Sequence, residues 1–508
     1  MSRTRIVGGV YTKITGGDYK MYTEGDTIIS AAGRNDFANA EKVIFGDKPE
    51  RYASKNTISN IDDPKTEIDY KFLIYFNRGK EYKGEYGFDW MRREYIEPIE
   101  KVKTFDGKKK RTICSNPEKL KEKYISFDRF EIRYYCPWVS IFPSEYPNSP
   151  HKEGIDLHIE IFDDFPENKN KKVKKNNNIK ILFESENLDI NITSNSEKLN
   201  ELRKINIRCG EISDISVINV KAILSEGESV KINENIGRLY LYPNKDIKKI
   251  NLYMINCLIN DGNMKILDKK LFNIELEKYL NTYVLNQFLT QCEVKSYEYF
   301  DLRKHRNQEG QTLIEKYQLN KEPYVKELKA SDNKDYKFRV AGNEIRDIRI
   351  FRDDLLSLYE TYGNTRLPIR GANNINKFLF FIDIFVQHTE GEERFYLEND
   401  IPKIDAIDVD SFAYLITEEP MGNAIITFTK EKLESSTIAH ELGHNMGLSH
   451  LFSEESEFYF YKGYTDNIMD YEDRERFEVT GNTDKNKHKR KSFFKWQWDI
   501  IREQMEAL

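Results

Sequence analysis

The chain has 508 residues, 39% hydrophobic and 13% aromatic, enough length and apolar content for about three domains with cores of their own. Charged residues make up 32% and the mean hydropathy is -0.70, so the surface is very polar, but the composition is not that of a disordered chain. The formal net charge of -6 is close to balance, which argues against nucleic acid or an anionic membrane as the main partner, because phosphates call for a strongly basic face.

Residues 1–50 read as a leader segment, Gly-rich and β-prone, with "TRIVGGVYTKITGG" followed by "DTIISAAG". The first twenty residues carry basic side chains but no apolar run of about seven or more, so they do not read as a Sec signal peptide. No segment reaches the roughly 18 apolar residues of a membrane span. The expectation is a soluble protein made in the cytoplasm, with any export by a non-classical route.

Residues 51–165 form a β-rich N-terminal region. "YKFLIYF" and "EIRYYCPWVSIF" read as strands, and "GIDLHIEIF" (Gly154 to Phe162) alternates with period two. The Lys/Asn-rich run "PENKNKKVKKNNN", Pro166 to Asn178, reads as a solvated loop rather than a nucleic-acid patch. From 179 to 262 short strands recur at spacings near ten residues, the pattern of a small β-sandwich-like domain. Nothing in it looks catalytic; a binding module and a spacer both remain open.

A third region, 265–508, changes period. "LFNIELEKYLNTYVLNQFLTQ" (Leu271 to Gln291) places Leu276, Tyr279, Leu280, Tyr283, Val284 and Phe288 at helical spacing and predicts one long amphipathic helix. "KFLFFIDIFV", "SFAYLI" and "NAIITFT" read as strands. "FFKWQWDIIREQMEAL" reads as a closing helix, with Trp496 and Trp498 as packing residues. The fold class expected is a multidomain α+β chain with a β-rich N-terminal half. The five cysteines, Cys114, Cys136, Cys209, Cys257 and Cys292, are odd in number, widely spaced and without a C-x-x-C. They read as buried or free thiols, with one or two disulfides still open.

The stretch "TIAHELGHNMGLSH", Thr437 to His450, holds three of the chain's eight histidines. On a helix over "KEKLESSTIAHELGHNMG", with Thr429 as candidate N-cap, His440 and His444 point from one face one turn apart. Two imidazole nitrogens at that separation can share an ion at about 2.0–2.1 Å. Gly447 can take a positive φ and end the helix, and His450 can return as a third ligand. Three protein nitrogens leave a fourth position for water, as a catalytic zinc site requires. Glu441 is placed to take a proton from that water. By composition, the two-histidine spacing with the glycine and the third histidine arises by chance in on the order of one such chain in a hundred thousand. A polar helix with satisfied surface histidines is the bland alternative.

"HELGHNMGLSH" resembles the extended zinc motif H-E-x-x-H-x-x-G-x-x-H of the metzincin metallopeptidases. Those proteins carry a methionine-containing turn downstream, and "DNIMDY" supplies Met469 nineteen residues after His450. The resemblance covers roughly 265–508 and implies a zincin-like catalytic domain with a twisted mixed sheet, an active-site helix and a C-terminal helix. It implies one catalytic Zn2+ held by His440, His444 and His450. It makes Glu441 the general base and later the acid, and sets Met469 beneath the metal without binding it. Tyr471, two residues past the methionine as in the astacin-like and serralysin-like branches, would stabilise the oxyanion; an ordinary packed tyrosine is the alternative. It further implies that "NAIITFTK", Asn423 to Lys430, is a sheet edge that pairs with an extended substrate, against a plain core strand. Leu451 departs from the Glu, Asp, Ser or Pro of better-known branches and leaves the subfamily unassigned. No cysteine-switch peptide maps onto the five cysteines. His305 and His388 receive no role.

The function expected is therefore a zinc-dependent endopeptidase acting on a protein or peptide substrate. A catalytically silent zinc-binding, adhesion or structural protein is the competing class, against which the intact Glu441 argues. The leader "TRIVGGVYTKITGGDYKMYTEGDTIISAAGRNDF" also resembles N-terminal segments of proteins linked to bacterial type VI secretion. That resemblance implies an exported effector or toxin, with the secretion machinery as a partner.

Overall fold

Two facing sheets take up most of the N-terminal half. One runs in the order Leu73–Asn77, Ile155–Phe162, Lys204–Cys209, Ile190–Ser194; the other runs Gly87–Asp89, Trp138–Ser140, Ser229–Leu241, Ser216–Glu226, Ile179–Glu184. Period-two sequences make one face of each apolar. In Ile155–Phe162, Ile155 and Leu157 are buried while Asp156 and His158 are exposed. Those faces meet in one core, where Ile74, Leu157 and Ile207 of the first sheet pack with Val139, Val220 and Leu239 of the second. The computed structural model describes residues 67–506 apart from 104–109, 170–177, 227–228, 262–272, 331–333, 371–374, 389–393, 405–406, 410, 414–422, 429–433, 455 and 472–489. The leader, most of the Lys/Asn-rich run and the candidate N-cap Thr429 lie outside the described residues.

Both sheets draw strands from before and after residue 170, so the β-rich region and the small sandwich read from the sequence share one structure. Alternation marks a strand but not the sheet it joins. For the same reason the strand Lys248–Leu258, grouped by sequence with the sandwich, runs in a second assembly.

That assembly is a five-stranded sheet in the order Thr290–Asp301, Lys248–Leu258, Asn376–Ile382, Ala424–Phe428, Ser411–Ala413. The first four strands are parallel and the last is antiparallel to its neighbour. Both faces are covered. Leu379, Phe381 and Ile425 pack with the helix Ser435–Asn445 on one side, and Phe378, Phe380 and Ile426 pack with the helix Ile348–Tyr362 on the other. Strands covered twice read as continuous apolar runs such as "KFLFFI". The fold is α+β with a β-rich N-terminal half.

Three sequence expectations are corrected by the structure. The helix predicted over Leu271–Gln291 spans Asn273–Tyr283, is followed by a 3-10 turn Leu285–Phe288, and gives way to a strand at Thr290. The Asn286 and Gln287 amides donate to Thr282 O at 2.7 Å and Tyr283 O at 2.8 Å, closing the helix end, and Leu289 turns the chain at φ 59°. The histidine helix begins at Ser435, with Glu434 extended before it, while residues 430–433 of the expected helix lie outside the described residues. The strand Ala424–Phe428 is internal and buried at all five positions; among the described residues, the edge on its side of the sheet is Ser411–Ala413.

The two halves also share a core. Tyr95, Ile113, Cys114, Tyr124 and Trp138 are in one apolar cluster with Ile438, Leu442, Met469 and Trp498. All five cysteines are free and buried. Among the described residues, no helix is long and apolar enough to cross a membrane.

Candidate metal centre

His440 and His444 lie four residues apart on the helix Ser435–Asn445, with ring centroids 4.8 Å apart. Past Asn445 the chain reverses. Gly447 takes φ +93°, its N–H donates to His444 O at 2.9 Å, and the Leu448 N–H donates to Gly443 O at 3.0 Å. That pair of bonds is a Schellman closure, which depends on a residue free to adopt positive φ. The reversal returns His450, whose Nε2 lies 3.0 Å from both His440 Nε2 and His444 Nε2.

The far side of two rings is already engaged. His440 Nδ1 is 2.7 Å from Ile468 O, and His444 Nδ1 is 2.7 Å from Leu448 O. A carbonyl only accepts, so each Nδ1 carries the proton and each Nε2 turns a lone pair to the centre. His450 can offer a proton to only one of them, so the three nitrogens are fully satisfied by a cation. Nitrogens held at about 2.0–2.1 Å around a tetrahedral ion lie roughly 3.3 Å apart, close to the observed spacing. Burial, with the charges of His444 and His450, holds His440 well below the usual imidazole range; burial and the same neighbour His444 push His450 down to about 3. Neutral imidazoles are the form a metal needs. Among the described residues, this is the group of His, Cys, Asp or Glu side chains that could hold an ion. The residues fit a metal.

Glu441 is 8% exposed and reaches from the helix to the edge strand. Ser411 Oγ donates to its Oε1 at 2.6 Å, and the Ala413 N–H donates as well. Burial raises the Glu441 pKa; the charge on His444, these hydrogen bonds and the charge on Arg490 work against that rise.

Met469 is fully buried under the helix. A Cβ at Gly443 would overlap Met469 Sδ, so the glycine of "HELGH" leaves the space that the methionine fills. Leu451, the departure from the resembled motif, is fully buried, and its N–H donates to Met469 O at 3.2 Å. It packs inward, where an apolar residue belongs.

Tyr471 is 36% exposed, with its ring centroid 5.5 Å from that of His440 and 5.0 Å from that of His450. Burial, then the charge of Glu441, pushes its pKa up to about 12, so the phenol keeps its proton. Phe452 stacks on His450 at 4.9 Å, and Lys462 Nζ sits 4.6 Å from the Tyr471 ring centroid.

Two aspartates shape the turn that carries Met469. Asp470 accepts from the Gly463 N–H at 2.8 Å, the Thr465 N–H at 2.9 Å and Thr465 Oγ1 at 2.7 Å. Asp466 is gripped by Arg78, by Arg92 Nη2 at 2.6 Å and by Ser492 Oγ at 3.1 Å.

The structure thus brings together His440, Glu441, His444, His450, Met469 and Tyr471. His305 is stacked between Phe300 and Tyr362, away from the metal group, and His388 ends the short strand Val386–His388. Ser411, Asp466 and the two arginines escape sequence reading. No spacing rule ties residue 411 to 441, or 78 to 466. Asp470 carries one visible signal, as the polar neighbour of Met469.

Comparison with protein-family models gives no match, and no curated protein matches the chain.

Proposed function

We propose that the chain is a zinc hydrolase whose ligands are His440, His444 and His450. Within that class we read it as an endopeptidase of the metzincin kind. The observation that carries the reading is the convergence of three Nε2 atoms, two with Nδ1 already bound to carbonyls, beside the buried carboxylate of Glu441. The mixed sheet, its antiparallel edge and the closing helix Lys495–Glu506 support it.

A zinc ion, when bound, supplies Lewis acidity that acidifies water and polarises a peptide carbonyl. Glu441 accepts the proton of the attacking water and returns it to the leaving amine. Water is the nucleophile, so no acyl-enzyme forms. The neutral Tyr471 phenol donates a hydrogen bond where negative charge develops on the carbonyl oxygen. The strand Ser411–Ala413 offers backbone groups along one side and holds an extended peptide by strand pairing.

The test is cleavage of an unfolded protein mixture by the wild type and by Glu441→Gln, with zinc content measured for each. The expected result is one zinc in both, and cleavage by the wild type alone. Absence of zinc after reconstitution, or equal cleavage by both, overturns the reading.

A further inference from the structure

We infer that Ser411 is a positioning residue for Glu441, setting the orientation of the general base from the strand opposite the histidine helix. The inference rests on the peptidase reading and adds a residue to it. Glu441 follows His440 directly in the chain, so the helix fixes where its backbone starts but not where its carboxylate ends. A glutamate has several rotatable bonds, and a base works only when held to within about 0.5 Å of its productive place. Glu441 meets that need across the site, not along its own helix. Ser411 Oγ lies 2.6 Å from Oε1, in a partly buried contact thirty residues away in sequence.

The hydroxyl has a single proton, and it goes to the carboxylate. Ser411 itself is held by pairing with Thr427 on the neighbouring strand, so the donor is part of a sheet and not of a loose loop. Ala413, two residues on in the same strand, hydrogen-bonds the same carboxylate through its backbone. Two donors at spacing two make a cradle for one acidic group. The strand that carries them is also the sheet edge that would seat the substrate, so base and peptide share one rigid reference.

The test compares Ser411→Ala, Ser411→Val and Ser411→Thr with the wild type and Glu441→Gln. Cleavage of one peptide, zinc content and melting temperature are read together. Threonine keeps the hydroxyl; valine has nearly the same shape without it, and both suit a strand. The expected result is a fall in kcat of about 10- to 100-fold for Ala and Val, the scale of a misplaced catalytic group. KM, zinc content and melting temperature stay near wild type, and Thr restores most of the rate. If Ala and Val match the wild type while Glu441→Gln is dead, the role of Ser411 is overturned and the peptidase reading stands. A loss confined to KM, or one that tracks lost zinc or lost stability, also overturns it. If the wild type does not cut, or Glu441→Gln cuts equally well, the peptidase reading falls and this inference falls with it.

Discussion

Arg92 Nη2 lies 2.6 Å from Asp466 Oδ1, joining the β-rich half to the residue three before Met469. Arg78 binds the same carboxylate, and both guanidiniums stack on Trp90, at 4.9 Å for Arg78 and 4.3 Å for Arg92. The N-terminal half is therefore part of the support of the candidate metal centre. It is not an appendage.

Removing one partner of a buried pair leaves a charge uncompensated, at a cost of about 3–5 kcal/mol. Asp466→Asn strips both arginines of their anion and is expected to lose about that much stability in urea unfolding; Arg92→Ala leaves Arg78 on the carboxylate and is expected to lose less, and residues 265–508 alone are expected not to fold cooperatively. Burial works to raise the Asp466 pKa, but Arg92 and Arg78 outweigh it and hold the carboxyl well below its usual range. The folded value is below the unfolded one of about 3.9, so the contribution is full above about pH 4 and fades as pH falls further. Wild type should lose stability in acid more steeply than Asp466→Asn. Parallel acid curves would contradict the account.

Gly443 and Met469 make a second pair. Alanine in a helix is favoured over glycine by about 1 kcal/mol, but the new Cβ would overlap Met469 Sδ. Overpacking of that kind costs about 1–3 kcal/mol. Gly443→Ala should destabilise the wild type and stabilise Met469→Ala, a change of sign that a double-mutant cycle in urea measures. The same sign in both backgrounds would show that the methionine does not claim that space.

Tyr471→Phe keeps the ring contacts with His440 and His450 and removes only the hydroxyl. A lost oxyanion donor lowers kcat by about 100- to 1,000-fold, with KM and zinc content little changed. Wild-type kcat in the variant would return Tyr471 to the packing residues.

Lys377 is only 5% exposed, its ammonium donating to Asn423 Oδ1 at 2.9 Å and to Asn445 O, at the end of the histidine helix, at 3.1 Å. Burial lowers its pKa to about 7. An unfolded lysine titrates near 10.4, so between about pH 7 and 10 the unfolded chain holds more protons and stability climbs with pH. Lys377→Met should flatten that climb. Urea midpoints of the two proteins across that range decide it; equal slopes would remove Lys377 from the account.

What could be read from the sequence was what short-range geometry encodes. The i, i+4 spacing of His440 and His444, the positive φ of Gly447 and the return of His450 are all set within one turn of each other, and each is present in the structure. The strand "NAIITFT" was recognisable as a strand, but not as an internal one, because its neighbour at Ser411–Ala413 is chosen by the sheet. Leu271–Gln291 kept a helical apolar spacing beyond the point where Asn286 and Gln287 close the helix. The donor to Glu441 and the guanidiniums on Asp466 come from 30 and 374 or more residues away, distances at which a sequence carries no periodic signal.

Lys495 N–H donates to Asp89 Oδ2 across 406 residues, and Phe493 N–H donates to Gln287 Oε1 across 206. Such closures impose an order of events on the growing chain. The early strands can pair while synthesis continues, but the turn beneath the histidines waits for the closing helix to emerge. Long-range closure of this kind is slow. A ribosome-bound chain short of residue 490 therefore carries all three histidines without their finished floor. On the proposed peptidase reading, cutting power arrives only once the helix Lys495–Glu506 docks, so the nascent protein does not threaten its own neighbours on the way out.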